Sequence, residues 1–135
     1  MTIRGGLRPR LSPSGRPGSE GQATVEVALA LPVVVVALLL VIQVALVARA
    51  QVLVVQAARE GARASSVGES PEVARHTPGL DPTRVDVSQV GGTVPGSVVT
   101  VRVAYRAPTD VPLVGGLLGD VTVRAAVTMR VEGPT

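Results

Sequence analysis

The fold of this chain follows from residues 27–48, VALALPVVVVALLLVIQVALVA, in which 22 consecutive residues carry no charged side chain. At a rise of about 1.5 Å per residue, a helix of this length spans roughly 33 Å, which is enough to cross the hydrocarbon core of a bilayer. A buried helix of a soluble protein is the alternative, but so long a run would need a large surrounding domain. The rest of the 135-residue chain offers none, so the run predicts a transmembrane helix.

The composition argues against a free-standing enzyme. Phe, Trp and Cys are absent and Tyr occurs once. A soluble core would therefore consist almost wholly of Val, Leu and Ala. Without cysteine there is no disulfide framework and no thiolate chemistry, so the sequence leaves the redox compartment undecided.

The net charge of +3 is concentrated before the apolar run. Residues 1–21 carry four basic side chains and one acidic side chain: Arg4, Arg8, Arg10, Arg16 and Glu20. An excess of positive charge on the short N-terminal side predicts a cytoplasmic N-terminus, with residues from about 50 onward across the membrane. Since the remaining charges balance, the sequence predicts no nucleic-acid partner.

The chain divides into four predicted segments. Residues 1–21 form a basic leader, rich in Arg, Gly, Pro and Ser, that we expect to be disordered. Residues 22–66 form one long helix, with a transmembrane part at about 27–48. Residues 67–83 contain three prolines and two glycines and are typical of a linker. Residues 84–135 form a small antiparallel β module.

The second half of the predicted helix has a polar face and a face of small residues. Ala57, Gly61 and Ser65 recur every four residues, a spacing that lets another backbone approach closely. An alanine-rich stretch with no special neighbour is an equally good interpretation.

The β module shows a period of two. Val alternates with polar residues in TRVDVSQV (83–90), SVVTVRVAYR (97–106) and VTVRAAVTMRVE (121–132), which predicts three half-buried antiparallel strands. Because such a sheet must cover its apolar face, we expect it to pack on the small-residue face of the helix. The apolar connection 107–120 is expected to fold back over the sheet edge; contact with the membrane surface or with a neighbouring subunit is the alternative.

No set of residues in the sequence predicts catalysis, a metal site or a cofactor. His76 is the one histidine and lies in the predicted linker, as do Glu69 and Glu72. The glycine-rich stretch VGGTVPG (90–96) has no lysine and opens no helix, so it is not a phosphate loop. We expect no cofactor, no metal and no small-molecule substrate.

Glu26 is a carboxylate at the edge of the apolar run, and three interpretations compete for it. It is a solvated residue at the start of a helix, where the helix dipole favours it. Alternatively, residues 1–50 are a secretory signal cut before Gln51, although the run exceeds the roughly 7–15 residues typical of such signals. In the third interpretation the chain is cut between Gly21 and Gln22, and Glu26 becomes the fifth residue of the mature chain.

The stretch GQATVEVALALP (21–32) resembles the type IV prepilins and pseudopilins, in which a leader ending in Gly precedes a Glu at the fifth mature position and then an apolar helix. Together with QAAREGAR (56–63), it is similar to the TadE-like proteins of tight-adherence (Flp) pilus systems. The resemblance covers residues 20–66 well and the valine-rich strands more loosely. Gln at the position after the cut departs from the Phe usual in type IVa pilins.

The resemblance implies a minor pilin or pseudopilin that a prepilin peptidase processes on the cytoplasmic face. Carried onto this sequence, Gly21 precedes the cut, Gln22 is the new N-terminus and Glu26 is the recognition and assembly residue. The implied partners are the membrane, the prepilin peptidase, other pilin subunits and the pilus assembly machinery.

Pro32 interrupts the hydrogen bonding of the membrane helix. Its missing N–H leaves the carbonyl of Ala28 without its usual helical partner, which membrane helices tolerate with local adjustment. A bend that aids extraction from the bilayer and a tolerated kink are both open interpretations.

We therefore predict an α+β, pseudopilin-like fold. A long N-terminal transmembrane helix continues outside the membrane and packs on a small three-stranded antiparallel sheet. The predicted function is that of a TadE-like pilus assembly component, in the plasma membrane with one pass and the β module outside the cytoplasm. The alternative is a secreted or membrane-anchored extracellular binding module.

Overall fold

The computed structural model describes residues 19–92, 94–113 and 115–133. Residues 1–18 of the leader, which we predicted to be disordered, lie outside these residues, and residues 19–21 of the leader are helical rather than disordered. Contacts within the chain divide it into two compact units, Met1–Val34 and Val35–Thr135. The described part of the first unit is helical throughout, and the second unit contains the sheet and the core.

Helix α1 runs from Ser19 to Ser66. Its sequence favours a helix because Ala and Leu are strong helix formers and Pro32 is its only proline. The helix ends where Gly68 adopts a positive φ of 84°, a conformation that glycine reaches at low cost. There the N–H of Glu69 donates to the carbonyl of Ala64 at 2.8 Å.

Two short 3-10 helices occupy much of the segment between α1 and the sheet, Pro71–His76 and Pro82–Arg84. Each starts with a proline after a capping side chain that accepts a backbone N–H bond: Ser70 from Glu72 and Asp81 from Thr83. Ala74, Thr77 and Leu80 are buried. Residues 67–83 are thus ordered by caps and by packing.

Three strands form one antiparallel sheet in the order β1-β2-β3, with β1 at Val85–Gly91, β2 at Val98–Ala107 and β3 at Val121–Arg130. A short helix, α2, at Gly115–Leu118 lies between β2 and β3. The strands pair in a register that agrees with the predicted alternation. Val87, Val103 and Ala125 are directly opposite one another on the same face. The predicted α+β fold, a long N-terminal helix packed on a three-stranded antiparallel sheet, is confirmed.

The core lies between the second half of α1 and the inner face of the sheet. Val54 and Ala57 of α1 and Val99, Val101 and Val103 of β2 are almost completely buried. The side chains of this core are small, so close approach of the backbones replaces the bulk that aromatic residues usually supply. Tyr105 is the only aromatic side chain in the core.

Candidate functional site

The predicted processing residues lie near the start of α1. Gly21, Gln22 and Glu26 are all helical and exposed. The bond between Gly21 and Gln22 lies close to Ser19, the first residue of α1 that the structure describes, and both residues that it joins are exposed.

Among the residues that the structure describes, none gives Gly21 a steric reason to be glycine. A Cβ built on it would meet no heavy atom within 4 Å, apart from its chain neighbours and the helix backbone close to it, and its φ is not positive. In a helix interior, glycine costs about 1 kcal/mol relative to alanine. Packing of the described residues therefore does not account for the glycine, which favours a requirement imposed by a binding partner.

The carboxylate of Glu26 has no hydrogen bond or ion pair with any other residue that the structure describes. It stands one position before Val27, the first residue of the uncharged run. A charged group at such a position needs a partner if it enters the apolar part of a membrane. The described part of this chain does not provide one.

The apolar segment of α1 is exposed along its length. Most large apolar side chains between Val25 and Leu46 are in contact with solvent, and α1 continues through Pro32 without a break in its helical assignment. Residues Gly21–Ser66 are long and apolar enough to cross a membrane. The exposed apolar surface of this helix indicates membrane anchoring.

The small-residue face of α1 packs on the sheet of the same chain. Ala57, Gly61 and Ser65 are buried. A Cβ on Gly61 would lie 3.1 Å from Val101 Cγ1 and 3.2 Å from the carbonyl oxygen of Pro71. The spacing therefore permits close approach of α1 to β2 and to the 3-10 helix Pro71–His76.

Two polar side chains of α1 extend this contact by hydrogen bonds. Ser65 Oγ donates to Gln89 Oε1 of β1 at 3.0 Å. Gln51 Nε2 donates to the carbonyl of Arg124 at 3.1 Å, at the edge strand β3. This bond gives the half-buried side chain of Gln51 a polar partner.

The structure disfavours a secretory cut before Gln51. Ala50 is 8% exposed and belongs to the core between α1 and the sheet. Cleavage after Ala50 would divide α1 inside this core and leave Gln51 as a chain end beside β3. Cleavage after Gly21 leaves the core intact, because the residues of α1 that form the core or pack against it start at Val47.

The connection between β2 and β3 contacts α1 inside the predicted transmembrane run. Gln43 is 4% exposed, and its Nε2 donates to Thr109 Oγ1 at 3.4 Å. Thr109 in turn donates its hydroxyl to the carbonyl of Gly119. Sequence reasoning did not find this contact, although an isolated glutamine in an apolar run was the available signal.

No group of three or more His, Cys, Asp or Glu residues in the described segments is arranged to hold a metal ion. His76 is exposed, and Glu72 forms an ion pair with Arg75 three residues later. Arg75 also donates through Nη1 to the carbonyl of Val85 at 2.8 Å. The bond from Arg75 to Val85 ties the 3-10 helix Pro71–His76 to β1.

An exposed apolar helix that continues directly into the core of a small sheet defines a class of protein, the membrane-anchored α+β proteins with one N-terminal helix. Within this class, the family model described as TadE-like protein matches residues 21–63. The match begins at Gly21 and ends in the last turn of α1, and it confirms the resemblance seen in the sequence.

The TadE-like family consists of pilus-associated structural proteins, and a TadE-like segment indicates involvement in tight-adherence pilus assembly. The comparisons with curated proteins and with solved structures give no match.

Proposed function

We propose that the protein is a minor pilin or pseudopilin of a tight-adherence type IV (Flp) pilus or a related secretion filament. A prepilin peptidase cuts it after Gly21 on the cytoplasmic face. The mature chain, beginning at Gln22, stays in the plasma membrane with its β module outside. The observation that carries this proposal is the TadE-like match starting at Gly21, a helical glycine that the packing of the described residues does not require.

The proposed cut also gives Glu26 a partner. Cleavage liberates an amine at Gln22, and in a neighbouring subunit this amine carries the charge opposite to that of the Glu26 carboxylate. A carboxylate within the apolar part of a membrane costs roughly 2.5–3.5 kcal/mol on insertion scales, so pairing favours association. Because the amine exists only after cleavage, processing switches on subunit assembly.

Mass spectrometry of the mature N-terminus tests the proposal. The protein, expressed with its prepilin peptidase, should begin at Gln22. A start at Gln51 would instead indicate a secretory protein, and an intact Met1 would indicate a simple membrane anchor. Either result would overturn the proposed processing.

A matched pair of variants separates peptidase recognition from folding. Gly21→Leu should abolish cleavage, because the larger side chain fits the folded chain but not a peptidase site that requires glycine. Ala28→Leu places the same side chain on the same helix face two turns later, and it should be cleaved normally. Cleavage of both variants would contradict the role of Gly21.

A further inference from the structure

The outer edge of strand β3 carries backbone hydrogen-bonding groups that point away from the sheet. Gln51, which belongs to α1, donates to the carbonyl of Arg124 at 3.1 Å, so the backbone groups of Arg124 face away from β2. Immediately after β3, the N–H of Val131 donates to the carbonyl of Ser97, the residue before β2, at 2.8 Å. Because bonding directions alternate along an antiparallel strand, odd-numbered residues of β3 bond to β2 and even-numbered residues face outward.

Three outward-facing residues of β3 follow Arg124. In the part of the chain that the structure describes, the backbone N–H and carbonyl groups of Ala126, Thr128 and Arg130 bond to no other residue. β3 is ten residues long, contains no proline and pairs with β2 without a bulge. A long, regular edge strand of this kind is a template for a further strand.

The opposite edge of the sheet, at β1, is partly covered. The 3-10 helix Pro71–His76 lies beside it, and Arg75 donates to the carbonyl of Val85 at 2.8 Å. β1 is also shorter, with seven residues, and it ends at Gly91, whose φ is 79°. A further strand therefore fits the edge at β3 better than the edge at β1.

The inner face of β3 is apolar and incompletely covered. Ala125, Val127 and Met129 are half-buried and pack against the core. The inner-face valines of the central strand β2, in contrast, are almost completely buried, because β2 has a neighbour on each side. A strand added beside β3 would cover its inner face in the same way if the residues it places there are apolar.

The outer face of the sheet is basic. All charged residues of the three strands lie on this face and are exposed: Asp86, Arg102, Arg106, Arg124 and Arg130. Arg106 forms an ion pair with Asp86 at 3.8 Å. Arg102, Arg124 and Arg130 form no ion pair with any residue that the structure describes. A second copy of β3 would add like charges to this face, whereas an acidic strand would complement it.

We propose that β3 binds an extended segment of a partner protein as a fourth strand of the sheet, and that acidic and apolar residues alternate in this segment. Arg124 and Arg130 are six residues apart, so acidic residues at both ends of a seven-residue segment lie opposite them. Apolar residues at its second, fourth and sixth positions then face the core. Main-chain hydrogen bonds to β3 provide affinity, and the arginines select the partner. Gln51 leaves room for such a bond at Arg124, because a carbonyl oxygen has two lone pairs.

Peptide binding to the full chain tests this inference. The probe is the peptide Glu-Val-Thr-Val-Thr-Val-Glu, labelled with fluorescein at one end and amidated at the other. In the control peptide both Glu residues are Lys. With the chain in micelles of an uncharged detergent, fluorescence anisotropy should show binding of the acidic peptide and roughly tenfold weaker binding of the control. Equal binding of the two peptides, or no binding of the acidic one, would overturn the proposal.

A matched pair of variants tests whether the peptide binds as a strand. Ala126→Pro removes an outward N–H and leaves the bonds to β2 in place, so it should abolish binding. Ala126→Val keeps this N–H and should bind normally. Equal binding by the two variants would contradict strand addition. If Ala126→Pro does not fold, as judged by circular dichroism, hydrogen exchange of the unmodified chain replaces it. The acidic peptide should slow exchange at the amides of Ala126 and Thr128, and unchanged exchange there would contradict the proposal.

Charge reversal tests the choice of partner. The double variant Arg124→Glu, Arg130→Glu should prefer the lysine peptide to the acidic one, and an unchanged preference would rule out selection by these arginines. A dimer of the full chain that Ala126→Pro dissociates would identify a second copy as the occupant and would also overturn the proposal. The micelles contain no peptidase and no pilus machinery. The result is therefore independent of the function proposed above, which N-terminal mass spectrometry tests.

Discussion

Two glycines of α1 occupy opposite environments, and of the two only Gly61 is required by the packing of the described residues. Gly21 has open space where a Cβ would lie, whereas Gly61 has β2 and the 3-10 helix Pro71–His76 within 3.3 Å. In a helix interior, glycine costs about 1 kcal/mol relative to alanine. At Gly61 the core offsets this cost, because α1 and the sheet can come close together.

Gly61→Leu should destabilise the β module by roughly 1–3 kcal/mol, because its side chain overpacks the contact with Val101. Arg59→Leu introduces the same residue on the exposed face and should change stability by less than about 0.5 kcal/mol. Urea unfolding of the full chain in detergent micelles can be followed by the fluorescence of Tyr105, the one tyrosine. Equal stability of the two variants would contradict the close packing at Gly61.

Glu26→Ala should leave cleavage and membrane insertion largely intact and abolish incorporation into the pilus, because it removes the partner proposed for the amine of Gln22. Glu26→Gln keeps the size of the side chain and should fail in the same way. Val25→Ala alters an exposed neighbour and serves as the control. Immunoblots of sheared pili measure incorporation, and immunoblots of membrane fractions measure insertion and, from the size of the band, cleavage. Normal assembly by Glu26→Ala would refute the charge pairing.

At the scale of elements, the segment between α1 and β1 shows how short capped turns can replace a loose linker. Its 3-10 helices are fixed by caps at Ser70 and Asp81, and Arg75 ties the first of them to β1. Ala74 and Leu80 join the core. Because the segment covers part of the apolar surface, its caps contribute to the stability of the module.

The cap at Asp81 predicts a pH dependence. Hydrogen bonds from the hydroxyl and then the N–H of Thr83 lower the pKa of the Asp81 carboxyl from its ordinary value of 3.8. A carboxyl whose pKa is lower in the folded state stabilises the fold above its unfolded-state pKa, and this contribution is lost as the pH falls through the folded-state pKa. Stability should therefore decline below about pH 4.

Asp81→Asn should show a shallower acid decline than the unmodified protein, because the amide retains an acceptor but does not titrate. Thr83→Val removes the hydroxyl donor and should also reduce the slope. Unfolding in urea at several pH values between 3 and 6 measures the slope of the free energy of unfolding against pH. Identical slopes for all three proteins would show that the cap does not titrate with folding.

At the scale of the whole molecule, one helix serves two environments. Most large apolar side chains of α1 up to Leu46 are exposed, while from Gln43 onward the helix also contacts the β module, with small residues against the sheet and charged residues toward solvent. The same element is thus a membrane anchor and one wall of the core. Gln43 marks the change, because it is the first strongly buried residue of α1 among those described.

Cysteine labelling can locate this change, because the chain contains no cysteine. Val41 is 66% exposed in the isolated chain. In intact membranes, lipid should shield Val41→Cys from a water-soluble maleimide. Arg59→Cys, on the solvent face of α1, should react from outside the cell. Both should react after denaturation, and rapid labelling of Val41→Cys in membranes would contradict a membrane-spanning α1.

The sequence by itself determined the helix, the three strands and the face that each strand buries, because hydrophobic periodicity is local and the side-chain spacing of a helix or strand is fixed by its geometry. The roles proposed for Gly21 and Glu26 also come from the sequence, because they depend on order along the chain. Contacts between distant residues were beyond its reach: Gln43 with Thr109, Gln51 with Arg124, and Gly61 against Val101. Only the tertiary structure decided these, because each depends on how the helix is rotated and shifted against the sheet, which periodicity does not specify.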